Sequence, residues 1–418
     1  MNSLAETVHS LAVKGFDHEF GNPGMDVSSN PVWDPLRAAG TRLWLDTGDL
    51  EEATRLWSEQ FEALTTNNTL LNKEVQKGIY DALVQENVDA IREAAGGLGE
   101  RELLLELAFL LNAYHALRLV ERFDAFVSVE LHTDLADDVK RTIAYAERFH
   151  KICPERFFIK VPFTPAGILG ARKLDQMGIP VNLTMGFSAR QNVLVSLLSN
   201  PSYVNVFMGR LNAFIADHHL GSGENIGEKA TLSTQRHLLS LREEGKTSSL
   251  LIGASMRAGQ QIPLLAGLDV YTMPVKVVYQ YLDSPSQEIQ SQVQVDLPVR
   301  YNEGVEEKDC GTDRLWDVPE SFMDCARGLA EENLDSWTPE DLILCLEEAG
   351  FGDLFPRWTE EDRETVANDG KIPVYATWKE RIVNREVGLD ALLNLSGLYA
   401  FKADQEALDA RVRSLIAS

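Results

Sequence analysis

Cysteine is scarce: Cys153, Cys310, Cys325 and Cys345 are the only four in 418 residues. None forms a C-x-x-C pair, which argues against a disulfide framework or a thiolate metal site. Reduced thiols in the cytoplasm are expected, with no metal and no other cofactor. Positive charge is also short, since 39 basic against 64 acidic residues leave a net charge of −25. Such a surface repels nucleic acid and anionic membranes, which removes both as expected partners. Any anionic small molecule must then be captured by local cations. Long apolar runs are missing too, because charges interrupt every stretch before the ~20 residues needed to span a bilayer. The first residues, with Glu6, Asp17 and Glu19, carry neither the basic nor the apolar region of a signal peptide.

One residue is out of place in what is present. Lys160 stands in Phe157-Phe158-Ile159-Lys160-Val161-Pro162, a run otherwise built for a core. An ammonium carried into an apolar setting loses its hydration, which favours the neutral amine, and a neutral amine attacks a carbonyl to form a Schiff base. A lysine snorkelling from a strand end gives the same run. Its neighbours have to decide.

Short apolar runs alternate along the chain with segments of helical periodicity, the pattern of parallel βα units. Eight runs read as strands: Arg42 to Thr47, Ala63 to Asn67, Ala125 to Leu131, Arg156 to Pro162, Ile179 to Met185, Tyr203 to Met208, Ser249 to Ser255 and Leu268 to Val275. Between them helices are expected over Asp49 to Phe61, Asn72 to Arg92, Asp134 to His150, Ile168 to Met177 and Ala189 to Leu198. Eight such strands close a barrel, and no G-x-G-x-x-G turn supports the open doubly wound alternative. In a closed barrel, chemistry gathers at the carboxyl ends of the strands, and here those ends are polar: Asp46, Asn67, Glu130, Lys160, Thr184, Asn205 with Phe207, and Ser255. Alternation puts Ser128 with Glu130, Phe158 with Lys160, and Asn182 with Thr184 on shared faces, taken as inward. Asp46, just before Thr47-Gly48-Asp49, also fits a helix N-cap.

Seven segments in order resemble the signature segments of the transaldolase family. They are Leu45-Asp46-Thr47-Gly48-Asp49, Thr65-Thr66-Asn67, Val127-Ser128-Val129-Glu130, Ile159-Lys160, Asn182-Leu183-Thr184, Phe207-Met208-Gly209-Arg210 and Gly253-Ala254-Ser255-Met256-Arg257. The tail from Ser396 to Gln405 is similar to that family's C-terminal segment. The resemblance implies a (β/α)8 TIM barrel of the class I aldolase type, with Lys160 as Schiff-base lysine on the fourth strand. It further implies Asp46 as general base on the C4 hydroxyl, with Glu130 and Thr184 holding the water used in carbinolamine dehydration. Phosphate would fall to Ser255, Arg257 and Arg210, although Arg210 also fits a salt bridge to a helix carboxylate. Asn67 would bind the hydroxyls of the dihydroxyacetone unit, and Phe207 would line the pocket. Related fructose 6-phosphate aldolases carry tyrosine and glutamine at positions 207 and 130, so phenylalanine and glutamate imply transfer rather than simple cleavage. Asn205 replaces the family's serine and Asn68 its usual proline; Asn205, larger and with both donor and acceptor, bears on the hydroxyl pattern accepted there.

The expected division is an N-terminal extension over 1–40 covering the barrel, a catalytic barrel over 41–300, and a helical extension over 301–418 packed on it. Thr338-Pro339-Glu340-Asp341 reads as a helix start, Glu364 to Pro373 as a turn, and His218-His219 as solvated loop. The expected activity moves dihydroxyacetone from sedoheptulose 7-phosphate or fructose 6-phosphate to glyceraldehyde 3-phosphate or erythrose 4-phosphate. The same lysine chemistry on another sugar, or a non-catalytic sugar-phosphate sensor, are the alternatives. Sugar phosphates are the expected small-molecule partners, and the protein is expected to be a monomer or homodimer.

Overall fold

Period-two alternation gives each strand two faces, and here both are buried for different reasons. In the computed structural model, which describes residues 3–286 and 288–417, eight parallel strands close a barrel in chain order. They are β1 Arg42–Asp46, β2 Phe61–Thr65, β3 Phe126–Glu130, β4 Phe157–Pro162, β5 Val181–Thr184, β6 Tyr203–Phe207, β7 Leu250–Ala254 and β8 Val270–Pro274. Seven lie within the runs read from the sequence; β2 begins earlier, at Phe61. Met1, Asn2, Gln287 and Ser418, each within one of the three expected segments, lie outside the described residues.

The outward face is aliphatic. Leu45, Leu64, Val129, Ile159 and Val161 are fully buried beneath the helical ring, each contributing roughly 1.5–3 kcal/mol by leaving water. The inward face is layered. Trp44, Ala63, Phe126, Phe158, Tyr203 and Ile252 form a second apolar cluster inside the barrel, with Trp44 stacked on Phe158 at 5.6 Å and edge-on to Tyr203 at 4.7 Å. Two residues further along the same strands stand Asp46, Thr65, Ser128, Lys160 and Asn205, with Ala254 of β7 still part of the apolar cluster. One step of about 6.6 Å thus turns a dry plug into a polar floor. Strand register sets Glu130 beside Lys160 and Lys160 beside Asn182.

Several helices differ from expectation for local reasons. The first after β1 stops at Leu56, leaving Phe61 free to begin β2. The segment read as one helix over Asn72 to Arg92 is two, Asn68–Gln76 and Asp81–Ala95. They are separated at Gly78, whose φ of +78° suits glycine. The segment Asp134 to His150 starts as a 3-10 turn, and its α-helix, Val139–Ile152, begins after Asp138 caps it. The helix Glu100–Phe123 is long and apolar enough to cross a membrane by length and composition, which corrects the expectation that no segment is; its apolar window is 89% buried inside the fold.

Beyond the barrel the chain is helical. Thr338 caps Pro339–Glu348 through a capping box, with Pro339 in the first turn. The expected turn over Glu364 to Pro373 is half helix, because the Thr359 capping box starts a helix that runs to Asp369 and ends at Gly370. His219 is exposed, but His218 is not solvated loop: its Nε2 lies 2.7 Å from the Pro373 carbonyl, which ties the extension to the barrel. At the other end of the chain, Trp33 stacks on Tyr281 at 5.3 Å and meets Phe61 edge-on. The last helix, Leu389–Ile416, lies along Asn68–Gln76 at the barrel mouth.

Candidate active site

The polar strand ends converge on one cavity of about 280 Å³. Asp46, Asn67, Lys160, Thr184, Asn205, Phe207, Arg210, Ser255 and Arg257 all line it. Glu130 does not. It lies behind the wall in a smaller space lined also by Asn112, His132 and Gln405.

Lys160 reaches this point because β4 is apolar everywhere else and the lysine stands near its carboxyl end on the inward face. Its Nζ donates to the Thr66 carbonyl at 3.2 Å and lies 3.7 Å from Glu130 Oε2, with both side chains about 5% exposed (6% and 5%). Burial raises the Glu130 pKa, opposed by Lys160 and by the Asn68 main-chain N–H, which donates to Oε2 at 3.1 Å. Asp46 is not the helix cap that its position allowed. Asp49 fills that role, accepting from the N–H groups of Glu51 and Glu52, and the Asp46 carboxylate faces the cavity instead. The Thr65 hydroxyl donates to Asp46 Oδ1 at 2.7 Å and lies 2.6 Å from that of Thr272. Burial raises the Asp46 pKa as well, against Thr65 and the cations Lys160, Arg257 and Lys73. Thr184 Oγ1 is buried at the wall with no partner among the described residues.

The phosphate candidates sit where the backbone is strained. Ser255 follows β7 with φ +62°, and Met185 follows β5 with φ +71°. Each costs about 1–3 kcal/mol for a residue with a side chain. Gly209 permits the first of these turns, since a Cβ there would stand 2.2 Å from the Ser255 carbonyl and 2.8 Å from Arg257 Nε. The Arg257 N–H is then pinned on Gln261 Oε1 at 2.6 Å. Burial, then the charge of Arg257, depresses the Arg210 pKa; burial depresses that of Arg257. Among the described residues neither arginine forms an ion pair with a carboxylate, so the salt bridge weighed for Arg210 is not made. Two guanidinium groups that act on one another and make no direct ion pair suit an anion.

Asn67 divides its functions: Oδ1 caps Asn68–Gln76 by accepting from Leu70 N–H at 2.8 Å, leaving Nδ2 unengaged by the described residues. Asn205 is committed to the protein. Its Nδ2 donates to Asn182 Oδ1 and the Leu183 carbonyl at 3.1 and 3.2 Å, and its Oδ1 accepts from Gly186 N–H at 3.3 Å. This side chain therefore braces β5 against β6 and has little capacity left for a ligand.

Among the cavity residues that the sequence reading did not assign to the site, two face its charged groups. Lys73 adds a cation from the helix after β2. Phe401 comes from the last helix, with Lys160 Nζ at 5.8 Å and the Arg210 guanidinium at 5.9 Å from its ring centre. A helical repeat of buried Gly397, Phe401, Gln405 and Leu408 was visible in the sequence, but not what it covers.

Residues 43–327 match the family described as transaldolase/fructose-6-phosphate aldolase. A transaldolase of Xanthomonas euvesicatoria is 31% identical over 237 residues, covering 54% of this chain and 71% of the relative. A transaldolase of Schizosaccharomyces pombe is 27% identical over 256 residues, covering 60% and 77%. One of Protochlamydia amoebophila is 27% identical over 239, covering 56% and 72%. The match, the closed barrel and the lysine-bearing mouth agree: this chain is an enzyme of the transferase type and belongs to the transaldolase/fructose-6-phosphate aldolase family.

Proposed function

We propose that this enzyme is a transaldolase working through a Schiff base on Lys160. It moves a dihydroxyacetone unit from sedoheptulose 7-phosphate or fructose 6-phosphate to glyceraldehyde 3-phosphate or erythrose 4-phosphate, a step of the pentose phosphate pathway. The observation that carries this reading is Lys160 itself, buried at the end of a core strand and opening on a cavity that also holds Asp46, Thr184 and two unpaired arginines.

The amine of Lys160 adds to the C2 ketone, and the carbinolamine loses water to become a protonated imine. Glu130, 3.7 Å from Nζ, and the unpartnered hydroxyl of Thr184 suit the water that carries protons in this step. Asp46 takes the proton of the C4 hydroxyl, the C3–C4 bond breaks into the imine, and the aldose phosphate leaves. A general base of this kind contributes typically 10²–10⁴-fold. The enamine left on Lys160 attacks the carbonyl of the acceptor aldose, Asp46 returns its proton, and water releases the new ketose. Arg210, Arg257 and Ser255 hold the phosphate, supplying local positive charge in a protein of net charge −25. Phe207 offers no proton to the enamine, which favours transfer over release.

Borohydride added with fructose 6-phosphate should leave a reduced adduct on the peptide containing Lys160. No adduct, or one on a different lysine, defeats the proposal. Glyceraldehyde 3-phosphate production should require erythrose 4-phosphate; equal production without it would make the enzyme an aldolase.

A further inference from the structure

Asp46 uses its two carboxylate oxygens unequally. Oδ1 accepts from the Thr65 hydroxyl at 2.7 Å, whereas Oδ2 has no partner among the described residues. Thr65 Oγ1 in turn lies 2.6 Å from Thr272 Oγ1. We propose that Thr272 is a positioning residue for the general base: through Thr65 it fixes Oδ1 of Asp46 and so presents Oδ2 as the oxygen that takes the C4 proton. This deepens the transaldolase reading above and rests on it.

The arrangement follows from strand order. β2 and β8 are the two neighbours of β1 in the closed barrel, and register sets Thr65 beside Asp46 and Thr272 beside Trp44, two residues earlier on the same inward face. The two hydroxyls therefore meet across β1, below the carboxylate. Proton counting gives the direction. A hydroxyl has one proton to give, and Thr65 gives its own to Asp46, so the bond between the threonines is donated by Thr272. A hydroxyl that accepts one hydrogen bond donates a stronger one, and Thr65, held from both sides, cannot turn away. Both threonines are buried in the cavity wall. Thr65 lies in one of the segments that carry the family resemblance, Thr272 in none of them.

The charges around Asp46 do not replace this chain. Burial raises the Asp46 pKa, and the Thr65 bond is the first influence against it, followed by Lys160 on β4, Arg257 after β7 and Lys73 on the helix after β2. Glu130 on β3 shares its sign and opposes it, and Arg210 faces the same cavity. On the other side Asp49, Glu74, Lys77 and Lys276 line the adjoining space, where Lys77 already pairs with Asp49 and Glu74. Among the described residues, Thr65 makes the one hydrogen bond that the Asp46 carboxylate accepts.

Thr272→Val keeps the shape of the side chain and deletes its hydroxyl, while Thr272→Ser keeps the hydroxyl. A carboxylate that loses support from a donor holds its proton to higher pH. The acidic limb of kcat/KM should therefore move up in Thr272→Val by about half to one pH unit, a loss of about 3- to 10-fold on that side, and stay in place in Thr272→Ser. Borohydride trapping with fructose 6-phosphate assigns the shift to Asp46. Imine formation does not use that carboxylate but C3–C4 cleavage does, so the Lys160 peptide of Thr272→Val should carry more of the six-carbon phosphate adduct, and less of the three-carbon one, than the unaltered protein. A limb that does not move, an equal loss at every pH, or an unchanged ratio of adducts overturns the proposal. Should Thr272→Val fail to fold, Thr272→Ala, which also lacks the hydroxyl, is read in the same way. An unaltered protein with no adduct on Lys160 defeats the functional reading first, whereas a Lys160 adduct with an unmoved limb defeats this inference alone.

Discussion

The barrel mouth and the clamp that holds the last helix over it both bury charge, and they treat it in opposite ways. In the clamp, Arg190 donates to both Asp390 oxygens at 2.7 and 2.8 Å and pairs with Asp353 at 2.8 Å. Ser188 donates to Asp390 at 2.6 Å, and Arg314 to Asp353 at 2.6 Å. Although burial alone would raise it, the Asp390 pKa is lowered by Arg190 and Ser188. At the mouth Asp46 and Glu130 are raised, and two arginines share no carboxylate. Buried charge that is fully paired fixes geometry. Buried charge left short of partners is available to react.

Removing a charge from each region tests this contrast. Lys160→Met should lower turnover by at least about 10⁴-fold, with stability changing far less than in the clamp, because the ion pair it loses is a single 3.7 Å contact with Glu130. A coupled assay with urea denaturation reads both, and a large loss of stability would erase the difference between the two regions. Arg190→Met should behave the other way. It strands Asp390 in the interior, while Arg314 still holds Asp353, and should destabilise by about 3–5 kcal/mol, with activity falling only as the last helix leaves the mouth.

Acidification should part the regions without mutation. Asp390 has a depressed pKa, so its contribution is complete above the unfolded value and is lost only as pH falls through the folded one. Asp46 and Glu130 have raised values and lose their charge earlier on the same descent. Activity should therefore fall, by up to about tenfold per pH unit, where the denaturation midpoint has not yet fallen; coincident losses would show a single acid transition. The smallest effect belongs to Phe401→Leu, which keeps apolar volume but removes the ring facing Lys160 and Arg210. It should lower kcat/KM about 3- to 30-fold and stability by under about 1.5 kcal/mol, measured by steady-state kinetics and thermal melting.

Much of this was legible in the chain because it is local. An apolar run with a period of two makes a strand, so the eight strands and the polar residues at their ends follow from neighbours in sequence. Helix ends were less legible. Gly78 breaks a pattern that otherwise reads as continuous, and Asp49 rather than Asp46 proved the cap. Asn205 stood out only through the family resemblance, which has serine there. That its amide is spent bracing Asn182, Leu183 and Gly186 could not.

By itself, the sequence determined the barrel and the presence of one lysine among apolar neighbours, since alternation and burial act over a few residues. Only the tertiary structure decided what surrounds that lysine. Asn68 and Glu130 are 62 residues apart, Arg190 and Asp390 are 200 apart, and Phe401 arrives from a helix beyond the barrel. Such contacts depend on chain closure, which no local pattern encodes, and they determine which buried charges are paired and which are free to react.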